Sequence, residues 1–188
     1  MNLLSVQTIL ERITSLLRSE NRLALHELGL QPVQLDALLY LSLCNRFSDT
    51  LKAVTDYLGL TKGTVSQSLK VLENKGLIEK SPDPNDKRVT HLKVTDKGQK
   101  TLDLLLPSSA LTQSLSNLGE AEETELADLL CRLLVLLQKQ NNYRSFGQCK
   151  TCRHNQKREG GYFCGLTQEL LSEKDITLIC LEHEENQA

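Results

Sequence analysis

Between Leu51 and Gly98 two helical stretches, separated by a single glycine, run straight into an alternating hairpin, and few folds accommodate that order. Leu51–Leu58 reads as a short helix, Gly59 as a tight turn, and Thr61–Lys75 as a second helix closed by Gly76. Leu77-Ile78-Glu79-Lys80, a turn across Ser81–Asp86, and Arg88–Val94 then alternate as two strands. Two helices across a tight turn with a ribbon beside them make a winged helix-turn-helix. Its second helix can enter a major groove while the ribbon reaches the next stretch of backbone. The expectation is a mainly α fold whose partner is double-stranded DNA.

Long helices flank this unit. Apolar residues recur at helical spacing over residues 3–28 (Leu3, Val6, Leu10, Ile13, Leu16 or Leu17, Leu23), ending at Gly29. Pro32 can open the next helix, and Gln34–Asn45 reads as buried. Thr95-Asp96 can cap a helix from about Lys97 that Pro107 kinks or breaks. After Gly119, Glu120, Glu122, Glu123 and Glu125 crowd the start of a last helix, where the helix dipole favours acid. That helix runs to about Asn141 and carries more leucine than one face of a small monomer buries, so a second copy of the chain is the expected cover. Beyond Asn142 the periodicity stops. The chain divides into residues 1–142, a winged-helix and dimerisation unit, and residues 143–188, a cysteine-rich appendage.

In the second helix Val65, Leu69 and Leu72 form the inward stripe, which leaves Lys62, Thr64, Ser66, Gln67 and Lys70 on outer faces. Thr61 is the natural N-cap. Short polar side chains at a helix start can approach base edges, and Gln67 can pair with adenine. Lys62 and Lys70 suit phosphates. The turn Pro82-Asp83-Pro84-Asn85-Asp86 presents Lys87 and Arg88 near its tip, where an arginine can enter a narrow minor groove. Asp86 can orient that guanidinium. The chain carries a net charge of −2, but unevenly. Residues 61–94 hold seven Lys and Arg against four Asp and Glu, whereas residues 169–185 hold one lysine against six acids. The basic segment is the candidate DNA face.

With these residues in view, the chain resembles the MarR family of bacterial transcription regulators. The matching stretches are residues 65–78 (Val65-Ser66-Gln67-Ser68-Leu69 through Gly76-Leu77-Ile78), Asp83–Arg88, and Leu92–Gly98. The family's Asp-x-Arg wing signature falls on Asp86 and Arg88. The resemblance spans about residues 3–142. It implies an obligate homodimer built from the first and last helices, bound to a near-palindromic operator as a repressor. A small molecule, a metal or redox state would act as effector by changing the dimer's geometry. Gln67 stands where the family often has arginine, and most members lack a tail beyond residue 142.

Six cysteines are present, four of them Cys149, Cys152, Cys164 and Cys180. In a reducing compartment such spacing suggests a metal before disulfides. Four thiolates suit a tetrahedral zinc ion or an iron–sulfur cluster, and the spacing does not choose between them. Zinc would be a structural staple for a segment poor in large apolar residues. His183 is read as solvent-facing among glutamates, with replacement of a cysteine ligand as the alternative. Cys44 and Cys131 read as small buried hydrophobes, and His26 and His91 as surface residues.

The chain shows no acid, base and nucleophile constellation and no Gly-rich phosphate cradle, so no enzyme is expected. Disulfide exchange at Cys149 and Cys152 lacks the strand–helix–strand frame it needs. The segment Leu3–Leu17 is interrupted by Glu11 and Arg12, and no basic flank with a cleavage site precedes it. A cytoplasmic protein without membrane contact is expected. The competing reading is a winged-helix protein-interaction module whose cysteine tail is only a zinc knuckle.

Overall fold

The computed structural model describes residues 3–140, 145–158 and 160–185. Eight helices and two small sheets are formed by these residues. In order they are α1 (Leu3–Glu20), α2 (Arg22–Glu27), α3 (Pro32–Leu43), α4 (Leu51–Leu58), α5 (Lys62–Asn74), β1 (Ile78–Pro82), β2 (Thr90–Val94), α6 (Asp96–Leu105), α7 (Ser109–Ser116) and α8 (Glu120–Gln140). The strands β3 (Asn155–Arg158), β4 (Gly161–Cys164) and β5 (Glu169–Leu171) follow, flanked by short 3-10 turns at Cys149–Thr151 and Asp175–Thr177.

Helix α3 is apolar on nearly every side, and such a helix is stable only when surrounded. It is packed by α4, α5, α6 and β2. Leu38, Tyr40, Val54, Val65 and Leu72 are fully buried around it, and the Tyr40 hydroxyl donates to the Ser48 carbonyl at 2.9 Å. Truncating one of these leucines to alanine would cost about 2–5 kcal/mol.

Local chemistry sets the boundaries. Thr50, Thr61, Thr95 and Ser108 each cap the helix that follows by accepting a backbone N–H three residues on. Gln31 and Gln34 form a reciprocal capping box at α3, with Pro32 in its first turn. Gly59 ends α4 at φ 63°, a left-handed conformation that glycine adopts without strain. The long N-terminal helix expected over residues 3–28 is two helices, broken at Asn21. Pro107 does end the preceding helix, and α7 starts afresh from Ser108.

The wing is an antiparallel pair with Ile78 opposite Val94, Lys80 opposite Leu92 and Pro82 opposite Thr90. Only its inner end is buried, through Ile78 and Leu92. A side chain at Gly98 would lie 2.2 Å from the Leu77 carbonyl oxygen, so glycine lets α6 start against the wing's base.

α8 buries none of its residues. Leu126, Leu129, Leu130, Leu134, Leu136 and Leu137 are exposed along it, as are Ile9, Ile13 and Leu16 on α1. Cys131 is exposed on the same helix, contrary to the buried role expected of it, while Cys44 is buried as expected. Among the described residues no helix is long and apolar enough to cross a membrane.

The cysteine-rich segment is docked on the winged helix. Phe146 stands edge-on to Tyr40 and Tyr57, with ring centres 6.0 and 5.2 Å away. Ile179 is held from both sides: its N–H donates to Leu43 O and its carbonyl accepts from Asn45 N, each at 2.9 Å. The Leu181 N–H donates to the Ser48 hydroxyl at 2.8 Å, and Leu181 joins the main core. Arg46 reaches Glu169 at 3.0 Å, Asp175 at 3.4 Å and the Leu170 carbonyl at 2.9 Å. The boundary at residue 142 therefore separates sequence styles, while the packing crosses it.

Candidate nucleic-acid interface

The α5 helix presents one apolar and one polar face. Val65, Ser68, Leu69 and Leu72 are buried. Thr61, Lys62, Thr64, Ser66, Gln67 and Lys70 are all exposed, as their spacing requires. Thr61 Oγ1 accepts from the Thr64 N–H and lies 2.9 Å from the Thr64 hydroxyl, which orders the first turn.

The basic residues of the segment divide into two groups. Lys75 donates to Leu28 O, Lys80 pairs with Glu73, and Lys93 pairs with Glu79, so these three serve the fold. Lys62, Lys70 and Lys87 make no ion pair with any described residue. Lys62 and Arg88 share an open cleft of about 620 Å³ between the helix pair and the wing. Lys52, exposed on α4, lines it with them. Sequence reasoning missed Lys52. Helical spacing alone places it on an outer face but does not turn that face toward the wing.

The wing tip is built by its own acids. Asp83 accepts from the N–H groups of Asn85 and Asp86, each at 2.7 Å, which closes the turn. Asp86 grips Arg88 in bidentate fashion, from Nε at 2.9 Å and Nη2 at 2.8 Å, and also accepts its backbone N–H. These bonds hold the Asp86 carboxyl below its usual range. The Arg88 side chain remains 90% exposed, so Asp86 aims the guanidinium without covering it. Lys87 is exposed next to it. The pair is worth little to stability at such exposure. Its value is orientation.

A second anchor escaped sequence reading. His91, expected on the wing surface, is half-buried between two carboxylates, with Nδ1 2.6 Å from Asp49 Oδ1 and Nε2 3.0 Å from Asp83 Oδ2. Both ring nitrogens face carboxylate oxygens, and the imidazolium satisfies both by donating to each. The hydrogen bonds to Asp83 and Asp49 raise the His91 pKa above its ordinary value. Asp83 is lowered, first by His91 and then by the turn amides. Burial raises Asp49 by more than His91 lowers it. His91 thus ties the wing to the residue preceding the α4 cap. A histidine with a raised pKa contributes fully below its unfolded value of about 6.5 and loses that contribution as pH climbs through the folded value. Amide exchange of β2 should therefore quicken as pH rises past neutrality, beyond the intrinsic rate increase. His91→Gln should flatten that excess. Equal excess in both proteins would exclude the tie.

The appendage departs further from expectation. His183 is buried, not solvent-facing: its Nδ1 lies 2.7 Å from the Ser145 hydroxyl and its Nε2 2.9 Å from the Thr151 hydroxyl. Burial lowers its pKa, which keeps it neutral. Both nitrogens are occupied, and a side chain at Gly147 would meet the ring at 2.5 Å, so the imidazole is a packed strut. Cys149 and Cys152 are buried, and Cys164 and Cys180 are half-buried. Among the described residues no three His, Cys, Asp or Glu side chains are grouped as metal ligands, so the metal-binding appendage expected from sequence is not drawn as a closed site. Burial pushes Cys149 up to about 12, with Cys180, Cys152 and Cys164 the next contributors.

With this geometry in place, comparison with known proteins is informative. The MarR family pattern matches residues 28–89. The HTH-type transcriptional regulator MhqR of Bacillus subtilis (strain 168) is 30% identical over 111 residues, 58% of this chain and 75% of that protein. YkoM, an HTH-type transcriptional regulator of the same organism, is 34% identical over 90 residues. That alignment takes in 47% of this chain and 58% of YkoM, so the chain spans little more than half of that relative's length. The fold is also that of S. aureus MepR crystallised with DNA, at TM-score 0.55 and 23% identity, over 68% of this chain and 95% of MepR.

Proposed function

This chain belongs to the MarR family of winged-helix transcription regulators, and from that premise we propose that it acts as a homodimeric repressor on a near-palindromic operator. The observation that carries this reading is the convergence of Lys52, Lys62 and Arg88 on one open cleft beside the polar face of α5. Thr64, Ser66 and Gln67 would face base edges, with Gln67 suited to adenine. Lys62, Lys70 and Lys87 would meet phosphates, and Arg88 would enter the minor groove. Two copies joined through α1 and α8 would place their α5 helices about one DNA turn apart. MepR, which shares the fold, is a protein seen on DNA, and that supports the same docking here.

Repression would follow from occupancy. An effector would act by changing the angle between head and dimerisation helices. An apolar cleft of about 460 Å³ lies where that angle is set, lined by Leu17 of α1, Leu39 of α3, Leu102 of α6 and Leu111 of α7. A largely apolar small molecule suits it.

The test is a salt titration on a duplex selected from a random pool. Affinity should fall steeply with salt, because each neutralised phosphate adds about 0.9 to the slope. A flat dependence, or retention unchanged when Lys62, Lys70 and Arg88 are neutralised, would favour a protein-interaction module instead.

A further inference from the structure

We propose that His91 is a positioning residue for DNA binding: its imidazolium latches the wing turn to the loop before α4, so that the aim of Arg88, and with it operator affinity, depends on one proton. This control rests on the repressor reading and acts at the same interface.

One half of the latch is fixed. Ser48 is fully buried, with its carbonyl held by the Tyr40 hydroxyl at 2.9 Å and its hydroxyl by the Leu181 N–H at 2.8 Å. The next residue, Asp49, accepts the Leu92 N–H on its carbonyl at 2.8 Å, and its carboxylate lies 2.6 Å from His91 Nδ1. The other half belongs to the wing. Asp83 divides its carboxylate: Oδ2 lies 3.0 Å from His91 Nε2, while Oδ1 accepts the N–H groups of Asn85 and Asp86. Asp86 in turn grips Arg88. A continuous hydrogen-bonded path thus runs from the buried loop to the wing tip, and His91 is its link that titrates near neutrality.

Losing the proton leaves the ring one N–H for two carboxylates. The bare nitrogen then turns its lone pair on a carboxylate oxygen. Burial already penalises the charge on Asp49, so Asp49 keeps the remaining N–H and Asp83 is released. Asp83 still closes the turn through Oδ1, but the turn loses its bearing on α4, and the guanidinium aimed by Asp86 goes with it. One positive charge also disappears beside a cleft suited to phosphate. Both effects weaken binding as pH rises.

The surroundings of the ring leave the control to His91. Asp83 and Asp49 are the charged groups that act on it, and their hydrogen bonds raise its pKa. Ser81 lies opposite it on β1, and Thr50 is bridged to it ahead of α4. On α4, Lys52 and Asp56, of opposite charge, line the neighbouring cleft. On the strands, Lys80 is paired with Glu73 and Lys93 with Glu79. On α3, Tyr40 and Cys44 are pushed up by burial and stay neutral in this range. The α6 helix meets β2 at its other end, at Val94.

The test is fluorescence anisotropy on the selected duplex from about pH 6 to 8.5 at fixed salt, with wild type, His91→Gln and Asp83→Asn. Wild-type Kd should rise with pH, by up to about tenfold per pH unit for each proton linked to binding. Both variants should give a nearly flat profile. The asparagine can accept from or donate to either ring state, so it removes the proton requirement while His91 stays in place. By linkage, the duplex should raise the midpoint of the His91 ring titration, followed by NMR in the wild-type protein. A profile as steep in Asp83→Asn as in wild type would reduce His91 to a plain charge near phosphate and overturn the latch. Parallel profiles in wild type and His91→Gln, or a ring midpoint that the duplex leaves unmoved, would overturn it and leave the repressor reading standing. Absence of binding at every pH would overturn the repressor reading and this control together.

Discussion

Replacing Leu130 and Leu134 together by glutamate should yield a folded monomer that no longer binds its operator. The two lie one helical turn apart on α8 and are 45% and 56% exposed in the single chain, so the change removes nothing from the core. In the dimer they would sit in the shared apolar face. Burying four uncompensated carboxylates there costs far more than the interface gains. Without the second half-site, affinity should drop by roughly three orders of magnitude, toward the non-specific range. Light scattering reads the mass, and fluorescence anisotropy on the selected duplex reads the affinity. A double variant that remains dimeric, or binds as tightly, would remove α8 from the assembly.

Arg88→Ala should produce the largest loss of any single change at the candidate interface. An arginine in a groove is worth about 1–3 kcal/mol, so affinity falls roughly ten- to a hundredfold. The magnitude of the salt slope should also drop by about 1 for each phosphate left without its cation. Stability should barely move, since the side chain is 90% exposed. Asp86→Ala is the informative companion. It keeps the arginine's charge but releases the bidentate grip at 2.8–2.9 Å, so its effect should be smaller and its salt slope closer to wild type. Lys70→Ala, by contrast, should weaken all duplexes about equally. Arg88→Ala without effect would place the wing away from the DNA.

The candidate interface residues were readable along the chain to the extent that their placement is periodic. The α5 stripe of Val65, Leu69 and Leu72 leaves Lys62, Ser66, Gln67 and Lys70 outside by geometry alone. Asp86 and Arg88 are two residues apart, and so local enough to be read as a pair. Lys52 and His91 were not legible in that way. Lys52 joins the cleft because α4 packs across α5, and His91 is held by Asp49, 42 positions earlier. The same limit explains His183 and Cys131. A histidine among glutamates reads as exposed until Ser145 and Thr151 close over it. A cysteine among leucines reads as buried until its helix proves to bury none of its residues in the single chain.

By itself, then, the sequence determined the helical frame, the turn glycines, the caps, the α5 polar face and the wing's Asp–Arg pair, since each depends on residues within a few positions of one another. Tertiary structure alone decided that the cysteine-rich segment is clamped to the α3–α4 loop through Ile179 and Leu181. It alone joined that loop to the wing through Asp49 and His91. Those bonds unite groups tens of residues apart, whose meeting is set by packing around α3, and no periodicity in a chain records which distant surfaces will meet.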